Sequence, residues 1–527
     1  MARTTLERTE NIRRPEEDSL TTAIAPGSES YREKSSAGRF YKGLLIPGSW
    51  RSTNLLKSPL RIALLAFLLP LGIRTIPEIL AGPFPIGYDS IASYVPAMRE
   101  WASGNLASQP SMMVGGPLVF AIFGSVYSLS RVDPILIVKI TGPVVYGILG
   151  FAEYLFARRY FGWDYTRSLT LVMISSIYFV SLRLSWDLLR NTLGMAFLFL
   201  SLVASIRLQT RKSSIIFSSL SLITAATHVL TGAFLLALVG AQTARTLAFR
   251  KVALALAPAT GWTLTSLALF RMTGIQLFSA GWQLNQLLAA YGLALYLFIP
   301  LIPVALIGAR MYLPIVSRNW ILICLAGILA CTAPVSLSSQ LIWPERWSFL
   351  LLFPLVGLAT EGFFRIRVFK FSLSFPRTSI GYAWLILLLI LAGTYISLPA
   401  REAMPFYEFV TPTSMLQSTI PVEESQSVAN AFRWLSTYAP RDAVIVTTDV
   451  MYGWSSEYFT GQATVLWFHS GPSLQAALAT AVEHGYTRIY TVWWADGQGW
   501  YGNPTVPLGF QNVHQIGEFG VFMLINQ

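Results

Sequence analysis

The chain has 527 residues, of which 54% are hydrophobic and 12% are charged, and its formal net charge at pH 7 is +12. Soluble globular domains carry about 25% charged residues, so this composition excludes that class and predicts a polytopic α-helical membrane protein. The positive charge does not point to nucleic acid as a partner. The Lys and Arg residues fall in short clusters between apolar segments, which is the pattern of cytoplasmic loops.

The first 57 residues are polar and mixed in charge, which predicts a disordered cytoplasmic tail. The first apolar segment, PLRIALLAFLLPLGIRTIPEIL, starts near Leu60 and has the roughly 20 residues that a transmembrane helix needs. Its basic upstream flank keeps the N-terminus inside, so residues 81–133 are predicted to form a long first external loop. Within this loop, residues 112–130 are expected to lie on the membrane or dip into it.

Five basic clusters, which the positive-inside rule assigns to the cytoplasm, fix the other spans of a transmembrane domain at residues 58–399. About eleven helices result, with the N-terminus inside and the C-terminus outside. They are expected at residues 60–80, 134–156, 167–184, 192–207, 214–228, 229–246, 252–271, 287–308, 319–337, 347–364 and 379–398. Cys324 and Cys331 would lie roughly 10 Å apart along one helix, too far for a disulfide.

Residues 400–527 change character, because helical patterns alternate there with short strand patterns. EESQSVANAFRWLSTYA and SLQAALATAVEHG predict helices, the second ending at Gly485. AVIVTT, ATVLW and TRIYTVWW predict strands. This alternation is typical of a small α/β domain, and the predicted topology places it on the external face.

Four short stretches bring charged or titratable side chains to the predicted outer face. A lipid phosphate needs cations at the membrane surface, and arginine binds phosphate bidentately. Glycosyl transfer needs a carboxylate that activates the acceptor hydroxyl. Both residue types are present: Asp89 in GYDS, Arg183, Asp187 and Arg190 in SLRLSWDLLRN, His228 in THVLTG, and Glu345 and Arg346 in WPERWSF.

Each of these residues also has an ordinary structural explanation. Asp89 suits the N-cap of the helical pattern SIASYVPAMREW, and His228 suits a hydrogen-bonded interfacial histidine. Other side chains at span ends suit an ion-pair ladder or anchors that reach the lipid headgroups. The ladder would contain Arg183, Asp187 and Arg190, and the anchors would be Arg346 and Lys139.

The order of these features resembles the GT-C superfamily, integral-membrane glycosyltransferases that use polyprenyl-phosphate-linked sugars, over residues 60–527. The resemblance implies an inverting glycosyltransferase in which Asp89 is the candidate general base, Asp187 assists or holds a metal, and Arg346 holds the donor phosphate. The remaining candidates bind donor phosphate or substrate. They are Arg183, Arg190, His228 and Glu345.

A metal is an open question. Asp89 and Asp187 suit Mg²⁺ or Mn²⁺, which prefer oxygen ligands, but arginine alone also holds phosphate. No Cys/His cluster at zinc spacing occurs, and no tightly bound structural metal is expected.

One branch of the superfamily fits less well. Oligosaccharyltransferase catalytic subunits carry a WWDYG motif, whereas VIVTTDVMYGWSSE here keeps only Asp449, and WWADG at residues 493–497 follows a different predicted strand. We therefore expect transfer of one sugar to a lipid, glycan or protein hydroxyl. Two alternatives stay open, a flippase or transporter for lipid-linked sugars and an inactive assembly protein with this fold. Residues 274–286 are a candidate flap over the substrate.

Overall fold

The computed structural model describes the chain in a series of ranges. These are residues 58–104, 115–206, 208, 210–244, 249–272, 284–331, 344–366, 377–398, 414–459, 463–466, 474–495 and 509–525. The tail predicted at residues 1–57 and nearly all of the flap predicted at residues 274–286 lie outside them. The described residues form one compact unit.

Most of the described chain is helical, as the apolar composition predicts. Local signals set several helix starts: Asp133 accepts the Ile135 N–H at 2.8 Å ahead of the helix Pro134–Arg159, and Thr210 and Ser213 form a capping box at the helix Arg211–Thr227. The helices before the C-terminal sheet are α1 (Pro59–Leu80), α2 (Val95–Ser103), α3 (Pro117–Ser130), α4 (Pro134–Arg159), α5 (Tyr165–Ile177), α6 (Phe179–Asp187), α7 (Leu189–Ser205), α8 (Arg211–Thr227), α9 (Val229–Thr243), α10 (Phe249–Met272), α11 (Leu284–Phe298), α12 (Ile302–Met311), α13 (Ile315–Cys331), α14 (Pro344–Leu350), α15 (Leu352–Ile366) and α16 (Arg377–Ser397).

Several of these helices are long and apolar enough to cross a membrane, as expected of a multi-pass protein. Within the described ranges five single segments meet this condition: Pro59–Leu80, Pro134–Arg159, Phe249–Leu269, Pro344–Ile366 and Ile380–Ser397. The number rises to seven if two bent pairs each count as one span. This is fewer than the eleven that the sequence predicts.

The difference arises because hydropathy does not record bends or short helices. The predicted span at residues 167–184 is the pair α5 and α6, bent by 66°, with Tyr178 in extended conformation at the break. The predicted span at residues 287–308 is the pair α11 and α12, bent by 85°. Other predicted spans correspond to apolar helices of only 15 to 17 residues, namely α7, α9 and α13. Cys324 and Cys331 are buried and unbridged, as predicted.

The described parts of the segment between α1 and α4, residues 81–104 and 115–133, pack against one another. A π-helical turn at Ser90–Tyr94 leads into α2, and α3 packs beside it. The Tyr94 ring lies 5.8 Å from the Phe120 ring and 5.4 Å from the Phe123 ring. With 14 residues, α3 is too short for an ordinary span, which agrees with the sequence prediction for residues 112–130.

The C-terminal residues form a small mixed sheet with helices, and the strands and helices expected from AVIVTT, ATVLW, TRIYTVWW and the two amphipathic patterns are all present. The hairpin of the last two strands was not predicted. The elements are α17 (Ser425–Tyr438), β1 (Ala443–Thr447), α18 (Asp449–Tyr458), β2 (Ala463–Leu466), α19 (Leu474–Glu483), β3 (Arg488–Trp494), β4 (Phe510–Ile516) and β5 (Phe519–Leu524). The strand order is β2-β1-β3-β5-β4. Strand β1 runs parallel to β2 and to β3, whereas β5 runs antiparallel to β3 and to β4.

Helix α18 joins this sheet to the first loop through a shared apolar core. Trp454 on α18 is completely buried, lies edge-on to Phe84 at 5.1 Å and donates its Nε1–H to the Thr419 hydroxyl at 3.0 Å. A Cβ atom on Gly453 would lie 1.7 Å from the Ile91 carbonyl oxygen, so only glycine permits this contact. The C-terminal sheet and the loop that carries Asp89 therefore hold each other in place.

An ion pair at this contact predicts a pH effect. The Arg99 guanidinium lies 2.7 Å from the Glu457 carboxylate, and burial raises the pKa of Glu457 although Arg99 lowers it. Such a group binds its proton more tightly in the folded protein, so its contribution to stability is complete below about pH 4.3 and is lost as the pH rises through the raised pKa.

We expect Glu457→Gln to flatten this part of the dependence of thermal stability on pH above about pH 4.3. The measurement is the melting temperature of both proteins across that range. Parallel curves for the two proteins would contradict the assignment.

Candidate functional site

Asp89 lies at the start of the π-helical turn and is half-buried. Its side chain makes no capping hydrogen bond, so the helix-cap explanation is wrong. The side chain that hydrogen-bonds to the backbone at this turn is Ser90, whose hydroxyl donates to the Ile86 carbonyl oxygen at 2.7 Å. The carboxylate of Asp89 therefore does not cap this turn.

Arg183 and Asp187 form an ion pair one helical turn apart on α6, with both side chains buried. The Arg183 guanidinium also stands 4.9 Å over the Trp186 ring and 5.6 Å over the Phe349 ring. The Tyr94 hydroxyl donates to the Asp187 carbonyl at 3.5 Å, and burial raises the pKa of Tyr94, which keeps it protonated at neutral pH. The predicted ladder exists for Arg183 and Asp187, but as a buried pair.

The seven residues predicted from the sequence come together from four separate segments. Arg346 on α14 is the centre of their charge interactions, and His228, at the junction of α8 and α9, lies near two of the cations. Arg346 interacts with Asp89, Arg190, Asp187 and Glu345; His228 interacts with Arg346 and Arg190; Glu345 interacts with Arg346 and Arg183. The charges of these residues therefore act on one another although their segments are distant in the chain.

Two members of the site have unused hydrogen-bonding atoms. Nη1 of Arg190 is buried and has no acceptor among the described residues, and its guanidinium lies 5.1 Å over the Phe120 ring. His228 is 1% exposed, and neither of its ring nitrogens has a partner within the described ranges. The explanation of His228 as a hydrogen-bonded interfacial histidine is therefore not what the structure shows. Buried polar atoms without partners are costly, and a bound anion would accept hydrogen bonds from Arg190 Nη1 and from the ring N–H of His228.

The start of the C-terminal region closes the site from one side. The indole N–H of Trp186, next to Asp187, donates to the carbonyl oxygens of Met415 at 3.1 Å and Gln417 at 3.0 Å. The Gly87 N–H, two residues before Asp89, donates to the same Gln417 oxygen at 2.9 Å. Gly87 has φ of +100°, and a Cβ there would lie 2.1 Å from the Trp186 carbonyl oxygen, so glycine is required.

An ionic cluster of Arg74, Glu78 and Lys139 fixes the turn before Asp89 and the helix that carries Asp187. Glu78 lies 2.8 Å from Arg74 and 3.4 Å from Lys139. Its carboxylate also accepts the Ile86 N–H at 3.3 Å, and Lys139 donates to the Phe84 carbonyl at 3.0 Å, so the turn before Asp89 is anchored.

The same cluster reaches the second acid. The Arg74 side chain donates to the Ser185 carbonyl at 3.1 Å, two residues before Asp187. Sequence reasoning missed this cluster and assigned Lys139 to the headgroup region. The signal was present: Arg74 and Glu78 are charged residues one helical turn apart inside an apolar span, where an unpaired charge is costly.

Tyr395 is another residue that the sequence did not single out. It is buried on α16, it interacts with the charges of Arg183 and Asp187, and its hydroxyl has no partner among the residues described. Tyr395 adds a further polar group at the site, and the sequence around it contains no charged residue or motif that would have predicted this role.

The predicted Mg²⁺ or Mn²⁺ at Asp89 and Asp187 stays a prediction. Within the described ranges no group of three or more His, Cys, Asp or Glu side chains is placed to hold a metal ion. Two carboxylates supply few of the oxygen ligands that Mg²⁺ needs, so phosphate and water would have to supply the rest. One oxygen of Asp187 already faces Arg183.

No family model matches this chain, and no curated protein matches it.

Proposed function

We propose that the protein is a membrane glycosyltransferase that moves a sugar from a polyprenyl-phosphate donor to a hydroxyl acceptor. The observation that carries the proposal is the meeting of two aspartates, three arginines and a histidine from distant segments, with buried donor atoms left unsatisfied. This arrangement suits a reaction that needs both an anion site and a base.

The chemistry divides between two halves of the site. Asp89 is half-buried and accepts no capping hydrogen bond, so it is the better candidate for the base that takes the acceptor proton. The acceptor oxygen then attacks the anomeric carbon, and the bond from that carbon to the phosphate oxygen breaks with inversion. The electron pair leaves with the polyprenyl phosphate, whose charge Arg190 and Arg346 stabilise.

The other residues take supporting roles. Arg183 is paired with Asp187, so we assign this pair to holding the shape of the site and not to the donor phosphate itself. His228 lies near Arg190 and Arg346 and can hydrogen-bond to donor or acceptor. Glu345 at the start of α14 interacts with Arg346 and holds it toward the site.

The membrane orientation is part of the proposal. The basic clusters between the apolar segments support an N-terminus inside and a C-terminus outside, which would put this site and the C-terminal sheet on the external face of a cell membrane. Because the site lies at helix ends, a long-chain donor could reach it from the lipid.

Arg190 offers a direct test of the anion site. We expect Arg190→Gln to lower kcat/KM for the donor about 10-fold to 100-fold, because hydrogen bonds to a charged group contribute about 1.5 to 3 kcal/mol. Purified protein in proteoliposomes is supplied with a panel of polyprenyl-phosphate monosaccharides and membrane glycolipid acceptors. The product is measured by mass spectrometry.

The matched control is Arg441→Gln, which removes the same charge from an exposed position in the C-terminal domain and should not change the rate. Equal transfer by the Arg190 variant and wild type would refute the anion site. Movement of the donor across the bilayer without a covalent product would indicate a flippase and refute the proposed transferase.

A further inference from the structure

The protein has a cavity of about 940 Å³ that no residue of the proposed transferase site lines. It lies among the ends of α4, α7 and α9 and the starts of α10 and α13. Its size is within the range of pockets that hold small ligands. These helix ends carry the basic clusters that the sequence assigns to the cytoplasm, so the cavity belongs to the opposite side from the proposed transferase site.

The polar groups of the cavity suit an anion. Arg159 and Lys251 line it from different helices, and none of the described lining residues is acidic. The Tyr160 hydroxyl donates to Oε1 of Gln242 at 3.0 Å, which turns the amide nitrogen of Gln242 away from that bond. This nitrogen is buried without an acceptor among the described residues. Two cations from different helices match the several acceptor oxygens of a phosphate.

The rim of the cavity is apolar and exposed. Ile206 is 47% exposed, Leu313 is 44% exposed and Ile315 is 64% exposed, and all three line the cavity. A small soluble anion would leave this apolar rim exposed to water, whereas the hydrocarbon chains of a lipid would bury it. The ligand that matches both parts is therefore an amphiphile with an anionic head.

A general positive-inside charge does not account for this arrangement. Arg158 shows the ordinary use of a basic residue here, because it donates to the Trp163 carbonyl and stacks over the Tyr165 ring at 3.9 Å. Its neighbour Arg159 instead lines the cavity. Adjacent arginines thus have different surroundings, one local and one facing the cavity.

We propose that this cavity binds the phosphate headgroup of an anionic lipid, with the acyl chains lying along the rim of Ile206, Leu313 and Ile315. The proposal does not depend on the transferase activity, because it uses no residue of that site.

Native mass spectrometry of the full-length protein in detergent tests it, by titration with phosphatidylglycerol and, separately, with phosphatidylcholine. We expect the double variant R159Q/K251Q to bind phosphatidylglycerol about 25-fold more weakly than wild type, since each basic residue near an anionic headgroup contributes about fivefold. The double variant R211Q/K212Q makes the same charge change at the exposed start of α8 and should bind within about twofold of wild type.

Three outcomes would overturn the proposal. They are equal losses in the two double variants, equal binding of phosphatidylcholine by wild type, and no loss in R159Q/K251Q. Glycerol phosphate is the last probe: if it binds as tightly as phosphatidylglycerol, the ligand is a free phosphate and the role of the apolar rim is wrong.

Discussion

Asp89→Asn is expected to reduce sugar transfer about 100-fold to 10,000-fold while the protein accumulates and melts normally, because general-base catalysis contributes that much and asparagine cannot accept the acceptor proton. The substitution keeps the size of the side chain and breaks no capping bond, since Asp89 makes none. Transfer is measured in proteoliposomes as above, and lipid-linked and protein-linked glycans are compared by mass spectrometry in cells that express each form. The loss should fall on kcat, because the base acts in the chemical step.

Asp442→Asn is the matched control, since this exposed aspartate lies in the same C-terminal region that covers the site and loses the same charge. It should transfer sugar at the wild-type rate. Normal transfer by the Asp89 variant would show that another group is the base, and Asp187→Asn would then be the next variant to measure. Unchanged transfer in both aspartate variants, together with movement of the donor across the bilayer without a covalent product, would favour the flippase.

The sequence predicted which charged segments lie near one another better than it predicted the helices that carry them. Charge topology needs only the order of basic clusters and apolar runs, so it could bring Asp89, Asp187, His228 and Arg346 to one side. It carries no information on bends, and the break at Tyr178 turned one predicted span into two helices. The bend matters for the site, because it carries α6 and the buried pair of Arg183 and Asp187.

Residue roles within the site could not be predicted from sequence spacing. Arg183 and Arg190 are equivalent in the sequence pattern, but the structure pairs Arg183 with Asp187 and leaves an atom of Arg190 without an acceptor. The difference depends on which helix face each side chain occupies and on the neighbours from α3 and α14. Likewise, the contact of Trp186 with Gln417 joins residues far apart in the chain, which no local pattern records.

Glu78→Gln is expected to lower the stability of the protein by about 3 to 5 kcal/mol, because it leaves the buried Arg74 and the half-buried Lys139 without their counter-ion. Arg74 is 1% exposed, so water cannot replace the lost carboxylate. The substitution should also lower kcat more than it changes KM, since Glu78 holds the Ile86 N–H in the turn before Asp89 and does not reach the donor. Thermal melting and transfer kinetics on the same preparation measure both effects.

Glu361→Gln is the control that distinguishes a loss of protein stability from a loss of the correct position of Asp89. Glu361 is a buried carboxylate between two arginines, 3.2 Å from Arg167 and 2.7 Å from Arg365, and none of these residues contacts the site. It should lower the melting temperature without the selective fall in kcat. If both glutamine variants change kcat alike, the cluster at Glu78 supports the fold and does not position Asp89.

A triple variant, Arg74→Met, Glu78→Leu and Lys139→Met, distinguishes a role of this cluster in folding from a role in positioning the two acids. Replacing a whole buried ionic cluster by apolar side chains is often neutral or stabilising, so the melting temperature should recover relative to Glu78→Gln. The bonds to Ile86, Phe84 and Ser185 are not restored by apolar groups. A stable protein with low kcat would therefore identify these three residues as the frame that holds the two acids, whereas recovery of kcat together with stability would assign them to folding alone.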